Sequence, residues 1–248
     1  MFNPRSNSPF ARGNGMFGSS RYQYQTLPYG YEGIQAGGLI SKVMGLLAFS
    51  FLFACIGTFV GFTVIHSLGA YWIVAIGGLV VLLILNFAIQ TPGLNLFLLY
   101  LFTFLEGMAI SPIISYYLYA NSNILGEAFL ITAITSFALA AYAWTTKRDF
   151  SRLGDYLFFG LILLLVAGLV GIFLGGIFHS SLFVLLISIV GVAIFSGYVL
   201  YYVQRARYMA DTMPNAIGLT DSIFMTELNL FLYILQILAS LQGGDRRR

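Results

Sequence analysis

Charge is the first property that this chain lacks. Only 8% of its 248 residues are Asp, Glu, Lys or Arg, whereas a soluble domain carries about 25%. The net charge of +3 is small, and the basic residues lie at the two ends of the chain and in short loops. This composition excludes a soluble globular domain and does not indicate a nucleic-acid partner.

Cysteine and histidine are nearly absent as well. Cys55 is the single cysteine, which excludes an intrachain disulfide and a cysteine-rich metal site, and we expect it to be buried. The two histidines, His66 and His179, lie at ends of apolar stretches and lack HExxH spacing. The string at 195–198 lacks the first glycine of a Gly-x-Ser-x-Gly elbow. We therefore predict that the chain is not an enzyme, has no metal centre and uses no cofactor.

Long apolar runs are what the chain has instead. Hydrophobic residues make up 59% of the sequence, and a helix needs about 20 apolar residues to cross a bilayer. The pattern predicts an all-α integral membrane protein with a seven-helix transmembrane domain at 39–242. The predicted spans are 40–65, 71–90, 94–118, 126–145, 155–178, 181–204 and 221–242. The loops between them are short, so neighbouring helices should pack antiparallel.

The two ends of the chain differ from the spans in composition. Residues 1–38 are rich in Gly, Ser, Asn, Tyr and Arg, which predicts a disordered cytoplasmic tail. They have no apolar core followed by a cleavage site, so we do not expect a signal peptide. A flexible leader and a docking element are both compatible with this segment. Residues 243–248 form a short basic tail.

Lys and Arg predict which side of the membrane each loop faces. They occur in the N-terminal tail and in the loops at 147–152 and 205–207, whereas the first, third and fifth loops have none. This pattern predicts a cytoplasmic N-terminus. Seven full crossings would place the basic residues 246–248 outside. The seventh segment is therefore either re-entrant or a full crossing that violates the rule, and its length favours a full crossing.

Small residues recur at helical spacing in the first, third and fifth spans. Gly57 and Gly61 form such a pair in the first span, and Gly107, Ser111 and Ser115 repeat every four residues in the third. Small side chains let helix backbones approach closely in lipid. We expect these residues to serve packing rather than ligand binding.

An acidic residue lies near the middle of the third span. A charged side chain at the bilayer centre costs about 2.5–3.5 kcal/mol on insertion scales, so we expect Glu106 to face the protein interior. It is either a proton- or cation-responsive group or a neutral carboxylic acid that hydrogen-bonds a neighbouring helix. The sequence favours neither interpretation over the other.

The last span carries the most specific polar pattern. Its polar residues recur at intervals of three and four, which places them on one helix face; they are Ser222, Thr226, Asn229, Tyr233, Gln236 and Ser240. Glu227 lies about 100° round from Thr226. We predict that this helix is central, with the stripe either joining helices or lining an aqueous path, of which we favour the lining. Asp221 is interpreted as the N-cap of this helix.

Four strings resemble the Bax inhibitor-1 (TMBIM) family, and the resemblance covers roughly residues 40–242. The loop string TTKRDFSRLG at 145–154 is similar to the basic loop of its bacterial, YccA-like branch. The strings at 102–113, 196–201 and 229–235 also fit the family. The resemblance implies a seven-helix bundle with a central last helix, pH-sensitive calcium leak, and control of cell death or stress. For the YccA-like branch it implies modulation of the membrane AAA protease FtsH.

One part of the family pattern is missing. The resemblance implies that members which leak calcium carry two aspartates, at positions that correspond here to Tyr202 and Thr226. Both carboxylates are absent, and Glu227 lies one residue further along, on a different face of the helix.

Two functions follow as expectations. The first is a regulatory binding protein of the bacterial inner membrane, or of the ER membrane if the chain is eukaryotic, that modulates an FtsH-like protease. The alternative is a pH-sensitive calcium or cation leak channel in which Glu106 and Glu227 are the acids. The expected partners are the lipid bilayer, the protease, and Ca²⁺ or H⁺.

Overall fold

The regular elements of this chain are helices throughout the part that the computed structural model describes, residues 36–174 and 181–245. They are α1 (Ala36–Val64), α2 (Leu68–Ala88), α3 (Leu94–Asn121), α4 (Asn123–Thr145), α5 (Leu153–Leu174), α6 (Ser181–Ala206) and α7 (Met213–Asp245). All seven are long and apolar enough to cross a membrane. The predicted all-α fold with seven transmembrane helices is confirmed.

The observed helices extend beyond several predicted spans. Residues 36–38, which the sequence assigned to the tail, belong to α1. Helix α7 begins at Met213, about two turns before the predicted start, so Asp221 lies inside the helix and its interpretation as an N-cap is wrong. The rest of the tail (1–35), the turn that contains His179, and residues 246–248 lie outside the described residues.

Helix α7 is unusually long for a single span. Its 33 residues correspond to about 50 Å at 1.5 Å per residue, while the hydrocarbon core of a bilayer is about 30 Å thick. A re-entrant segment would need a break, and α7 runs from Met213 to Asp245 as one helix. Its length and continuity therefore support a full seventh crossing.

The helices form two compact units among the described residues. The first contains α1, α2, α3 and the beginning of α7, through Phe224. The second contains α4, α5, α6 and the remainder of α7, from Met225. In the first unit the α7 residues 215–221 are all buried. Uninterrupted burial over two turns is typical of a helix that is packed on several sides.

Small residues bring α1 and α3 together in the first unit. A Cβ atom at Gly57 would overlap the carbonyl oxygen of Phe104, and one at Gly107 would overlap that of Ala54. Between them, the hydroxyl of Thr58 donates a 3.0 Å hydrogen bond to the carbonyl oxygen of Gly107. The predicted packing role of Gly57 and Gly107 is confirmed.

Many large apolar side chains lie on the outside of the protein. Phe87 of α2, Phe137 of α4 and Leu163 of α5 are each at least 70% exposed. In water such surface would drive aggregation, but in a bilayer the acyl chains solvate it. Cys55 is also exposed, contrary to expectation, because the side of α1 that packs against α3 is the one bearing Ala54 and Gly57. The chain is a multi-pass membrane protein.

Polar contacts connect the ends of elements that the charge pattern placed on one side of the membrane. In the first unit, Lys42 near the start of α1 forms a 2.9 Å ion pair with Asp211, which precedes α7. In the second unit, the side-chain oxygen of Gln204 accepts a 2.6 Å hydrogen bond from the N–H of Phe150, and its amide nitrogen donates to the carbonyl oxygen of Arg148. Each contact therefore joins two segments that the distribution of Lys and Arg predicts to lie on the same side of the membrane.

Candidate functional site

Glu106 lies on α3 in the first unit and is partly buried. Its Oε1 atom is 3.4 Å from the position that a Cβ atom would occupy at Gly78 of α2. The missing side chain at Gly78 therefore leaves room for the carboxyl group between α3 and α2. This position agrees with the expectation that an acidic side chain in a membrane span faces protein rather than lipid.

Asp221 is the acidic residue that sequence reasoning misplaced. It lies on α7 in the first unit and is only 8% exposed. Its Oδ1 atom is buried without a hydrogen-bond partner. A signal was available in Pro214, because proline is favoured in the first turn of a helix. That signal would have started α7 before Asp221.

Apolar contacts hold Asp221 in place on both sides along α7. Residues 217, 221 and 224 share one helix face because they are spaced by four and three. Ile217 packs with Leu98 and Leu99 of α3 in one core cluster. The ring of Phe224 lies 6.3 Å from that of Phe102, also on α3. Asp221 therefore lies between two apolar layers that join α7 to α3.

Further polar groups are buried in the same unit. The hydroxyl oxygens of Ser50 on α1, Ser111 on α3 and Thr220 on α7 have no hydrogen-bond partner. An unpaired buried polar group costs about 1–3 kcal/mol, so native proteins contain few of them. The first unit thus combines the carboxyl groups of Glu106 and Asp221 with unsatisfied hydroxyl groups on three of its helices.

Glu227 lies in the second unit, where it joins α7 to α4. Its Oε2 atom accepts a 2.5 Å hydrogen bond from the hydroxyl of Ser136. The side chain is partly buried. Glu106 and Glu227, which the sequence proposed as partners in one mechanism, belong to different units, whereas Asp221 belongs to the same unit as Glu106.

The polar stripe of α7 is largely engaged in contacts within protein. Ser222 and Asn229 donate hydrogen bonds to carbonyl oxygens one turn earlier in α7, at 2.9 Å and 2.8 Å. Gln236 accepts a 2.9 Å hydrogen bond from Ser188 of α6, and the ring of Tyr233 stacks on Phe195, also of α6, at 5.8 Å. The contacts of Gln236 and Tyr233 with α6, both in the second unit, correspond to the helix-joining role that the sequence left open beside the lining.

The two positions that the resemblance assigns to the family aspartate pair lie in the second unit. Thr226 is buried, and Tyr202 stacks on Tyr198 with ring centroids 5.6 Å apart. Neither side chain can carry a negative charge as an aspartate does. Among the described residues, no group of three or more His, Cys, Asp and Glu side chains could hold a metal ion.

Comparison with known proteins identifies the family. The profile of the family described as "Inhibitor of apoptosis-promoting Bax1" matches residues 37–243. An uncharacterized protein of Helicobacter pylori is 31% identical over 79% of this chain and 84% of its own length. An uncharacterized membrane protein of Vibrio cholerae is 34% identical over 59% of this chain and 64% of its own length.

A mammalian relative extends the comparison beyond bacteria. Protein lifeguard 4 of Mus musculus is 30% identical over 71% of this chain and 71% of its own length. The matched region contains all seven helices almost completely, from the first residues of α1 to the last turn of α7. The chain therefore belongs to the Bax inhibitor-1 family.

Proposed function

We propose that this membrane protein is a pH-responsive cation leak pathway. The observation that carries the proposal is the presence of acidic side chains inside membrane-spanning helices, turned towards neighbouring helices rather than lipid: Glu106 beside Gly78, and Glu227 bonded to Ser136. Acidic groups in membrane spans are costly and typically mark ion or proton paths. A carboxyl group also changes charge on protonation, so flux through such a path should depend on pH.

Flux into liposomes that contain the purified protein tests this proposal. Calcium and proton entry are measured between pH 5 and pH 8 for the wild type, Glu106→Gln and Glu227→Gln. We expect protein-dependent flux whose pH dependence is lost in at least one of the two variants. Glu127→Gln is the matched control, because Glu127 is an exposed acid on α4.

Two results would contradict this proposal or part of it. Flux no higher than in empty liposomes, with correctly folded and oriented protein, would exclude the leak. Flux with an unchanged pH profile in both variants would remove the two glutamates from the mechanism.

A second function, modulation of a membrane AAA protease of the FtsH type, is favoured by the basic loop between α4 and α5. Lys147, Arg148 and Asp149 are exposed, while Gln204 holds the loop backbone through the bonds to Arg148 and Phe150 described above. A charged loop with a restrained backbone loses little conformational entropy on binding. This loop also carries the string that resembles the YccA-like branch most closely.

Co-purification from a bacterial membrane tests this second function. We expect FtsH to be retained by the wild type and by Glu127→Gln, and to be lost when Lys147 and Arg148 are both replaced by Glu. A second variant, which lacks residues 2–35, tests whether the N-terminal tail rather than the loop is the docking element. Equal retention by the loop variant would exclude the loop, and equal retention by the deletion variant would exclude the tail.

A further inference from the structure

We propose that the ring of Tyr233 is a gate in the second unit, which closes the polar stripe of α7 to water and cations. Its use as a gate rests on the proposed leak function, because a gate needs a path to close, whereas its effect as a barrier to water does not. Three features of the structure support the gate.

The first feature is the close contact between the Tyr233 ring and α6. A Cβ atom at Gly191 would lie 2.6–2.7 Å from three carbons of this ring, so the bare backbone of Gly191 is what leaves room for it. The ring also stacks on Phe195, one turn further along α6, with centroids 5.8 Å apart and planes 26° apart. Tyr233 therefore occupies the space between α6 and α7 at this level.

The second feature is the polar groups that lie along α7 on either side of this ring. Towards the C-terminal end of α7, Gln236 accepts a 2.9 Å hydrogen bond from Ser188 of α6. Towards the N-terminal end, Asn229 lies about one turn away, and Glu227 is about 9 Å away along the helix axis. Glu227 in turn accepts the hydrogen bond of Ser136 on α4. An aromatic layer thus separates two polar layers within one unit.

The third feature is the wall against which the Tyr233 ring packs. Phe195 is buried, and its ring lies 6.1 Å from that of Tyr198, which stacks on Tyr202 at 5.6 Å. Phe195 is therefore held in place by rings of its own helix. Tyr233 belongs to the other helix, so rotation of this one side chain to another rotamer is sufficient to open the layer.

A closed aromatic layer blocks ions because it offers them no water. Hydrophobic constrictions in channels close by excluding water from a short segment of the path. Helix α7 begins after the basic residues at 205–207, which are predicted to be cytoplasmic, so Gln236 lies towards the opposite side of the membrane. With its ring in place, Tyr233 separates Glu227 from that side, and displacement of the ring joins the two polar layers.

Cation flux into liposomes tests the gate. Calcium entry at pH 7 is measured for the wild type, Tyr233→Ala, Tyr233→Phe and the control Tyr156→Ala, which changes an exposed tyrosine of α5 in the same unit. We expect Tyr233→Ala to raise the flux at least tenfold, because it removes the ring. Tyr233→Phe keeps the ring, so it should retain wild-type flux, as should the control. Wild-type flux in Tyr233→Ala, or an equal increase in the control, would overturn the gate.

Cysteine labelling leaves both rings intact and provides a second measurement in case Tyr233→Ala does not fold. In a Cys55→Ala background, the variants Gln236→Cys and Thr226→Cys place single thiols on opposite sides of the Tyr233 ring along α7. A membrane-impermeant methanethiosulfonate reagent is added from the side opposite to the basic loops. We expect labelling at position 236 and none at position 226 unless Tyr233→Ala is also present. Labelling at position 226 with the ring intact, or no labelling at position 236, would overturn the gate.

The gate and the leak fail in different ways. Labelling of Thr226→Cys that requires Tyr233→Ala, in a protein without cation flux, would keep the ring as a barrier to water and exclude the leak. Wild-type cation flux that Tyr233→Ala leaves unchanged would keep the leak and exclude the gate.

Discussion

The hydroxyl of Ser136 donates a 2.5 Å hydrogen bond to Glu227 Oε2 and thereby joins α4 to α7. The two residues are 91 positions apart in the chain. An intramolecular hydrogen bond contributes about 0.5–1.5 kcal/mol, and within lipid the lost partner is not replaced by bulk water. This bond is therefore a point where the stability of the second unit can be tested.

Replacing Ser136 by Ala should lower the thermal unfolding midpoint of the protein in detergent. The reason is that Glu227 then remains partly buried without its donor, which costs about 1–3 kcal/mol. Ser122→Ala is the control, because Ser122 is exposed and its side chain makes no capping hydrogen bond to α4. Glu227→Gln should be milder than Ser136→Ala, since a glutamine oxygen still accepts the bond. An unfolding midpoint that Ser136→Ala leaves unchanged would show that the bond contributes nothing.

Replacing Gly57 by Ala should destabilise the first unit. The added methyl group would overlap the backbone of Phe104, which cannot move aside as a flexible side chain can, and overpacking typically costs about 1–3 kcal/mol. Gly45→Ala lies on the same helix with no atom within 4 Å of the new Cβ, so it should be neutral or slightly stabilising. The unfolding midpoints of the two variants give the comparison. Equal midpoints would contradict the close packing of α1 on α3.

Replacing Gln204 by Ala should release the loop between α4 and α5. The loop loses both hydrogen bonds to the Gln204 side chain, so its backbone should open more often. We expect trypsin to cut faster after Lys147 or Arg148, as followed by gel electrophoresis. The control is Gln90→Ala, which changes an exposed glutamine in the turn between α2 and α3. Equal cleavage rates in the two variants would count against the restraint.

The ion pair between Lys42 and Asp211 provides a test of the predicted topology, although it should contribute little to stability. Its side chains are 42% and 26% exposed, and such pairs contribute about 0–1 kcal/mol, so Lys42→Ala should change the unfolding midpoint little. Cysteines placed at 42 and 211 in a Cys55→Ala background should react with a membrane-impermeant maleimide from the same side, and should crosslink with a short reagent. Labelling from opposite sides would refute the predicted alternation of loops.

The hydropathy of the chain was sufficient to predict the seven helices. Lipid provides no hydrogen-bond partners for the backbone, so an apolar run of sufficient length has to satisfy its own N–H and C=O groups as a helix. The close packing at Gly57 and Gly107 was predictable for a related reason. Without a side chain, a helix surface permits backbone contact, and this property is local in sequence.

Hydropathy did not predict that the polar residues at the beginning of α7 are helical. Residues 213–222 contain Pro214, Asn215, Thr220, Asp221 and Ser222, a composition that by itself is typical of a loop before a helix. The structure buries residues 215–221 among other helices. Protein surroundings accept polar side chains that lipid does not, so the hydropathy of a segment does not reveal its structure when the segment is packed inside the molecule.

The sequence by itself determined the fold class, the number of spans and the role of Gly57 and Gly107 in close helix packing, because each depends on residues within one helix and on the solvent around it. Only the tertiary structure decided that α1 is the partner of α3, that Asp221 is buried within α7, and that Glu227 bonds to Ser136. Glu227 and Ser136 lie 91 positions apart along the chain. Their meeting depends on how helices pack, which hydropathy and helical periodicity do not encode.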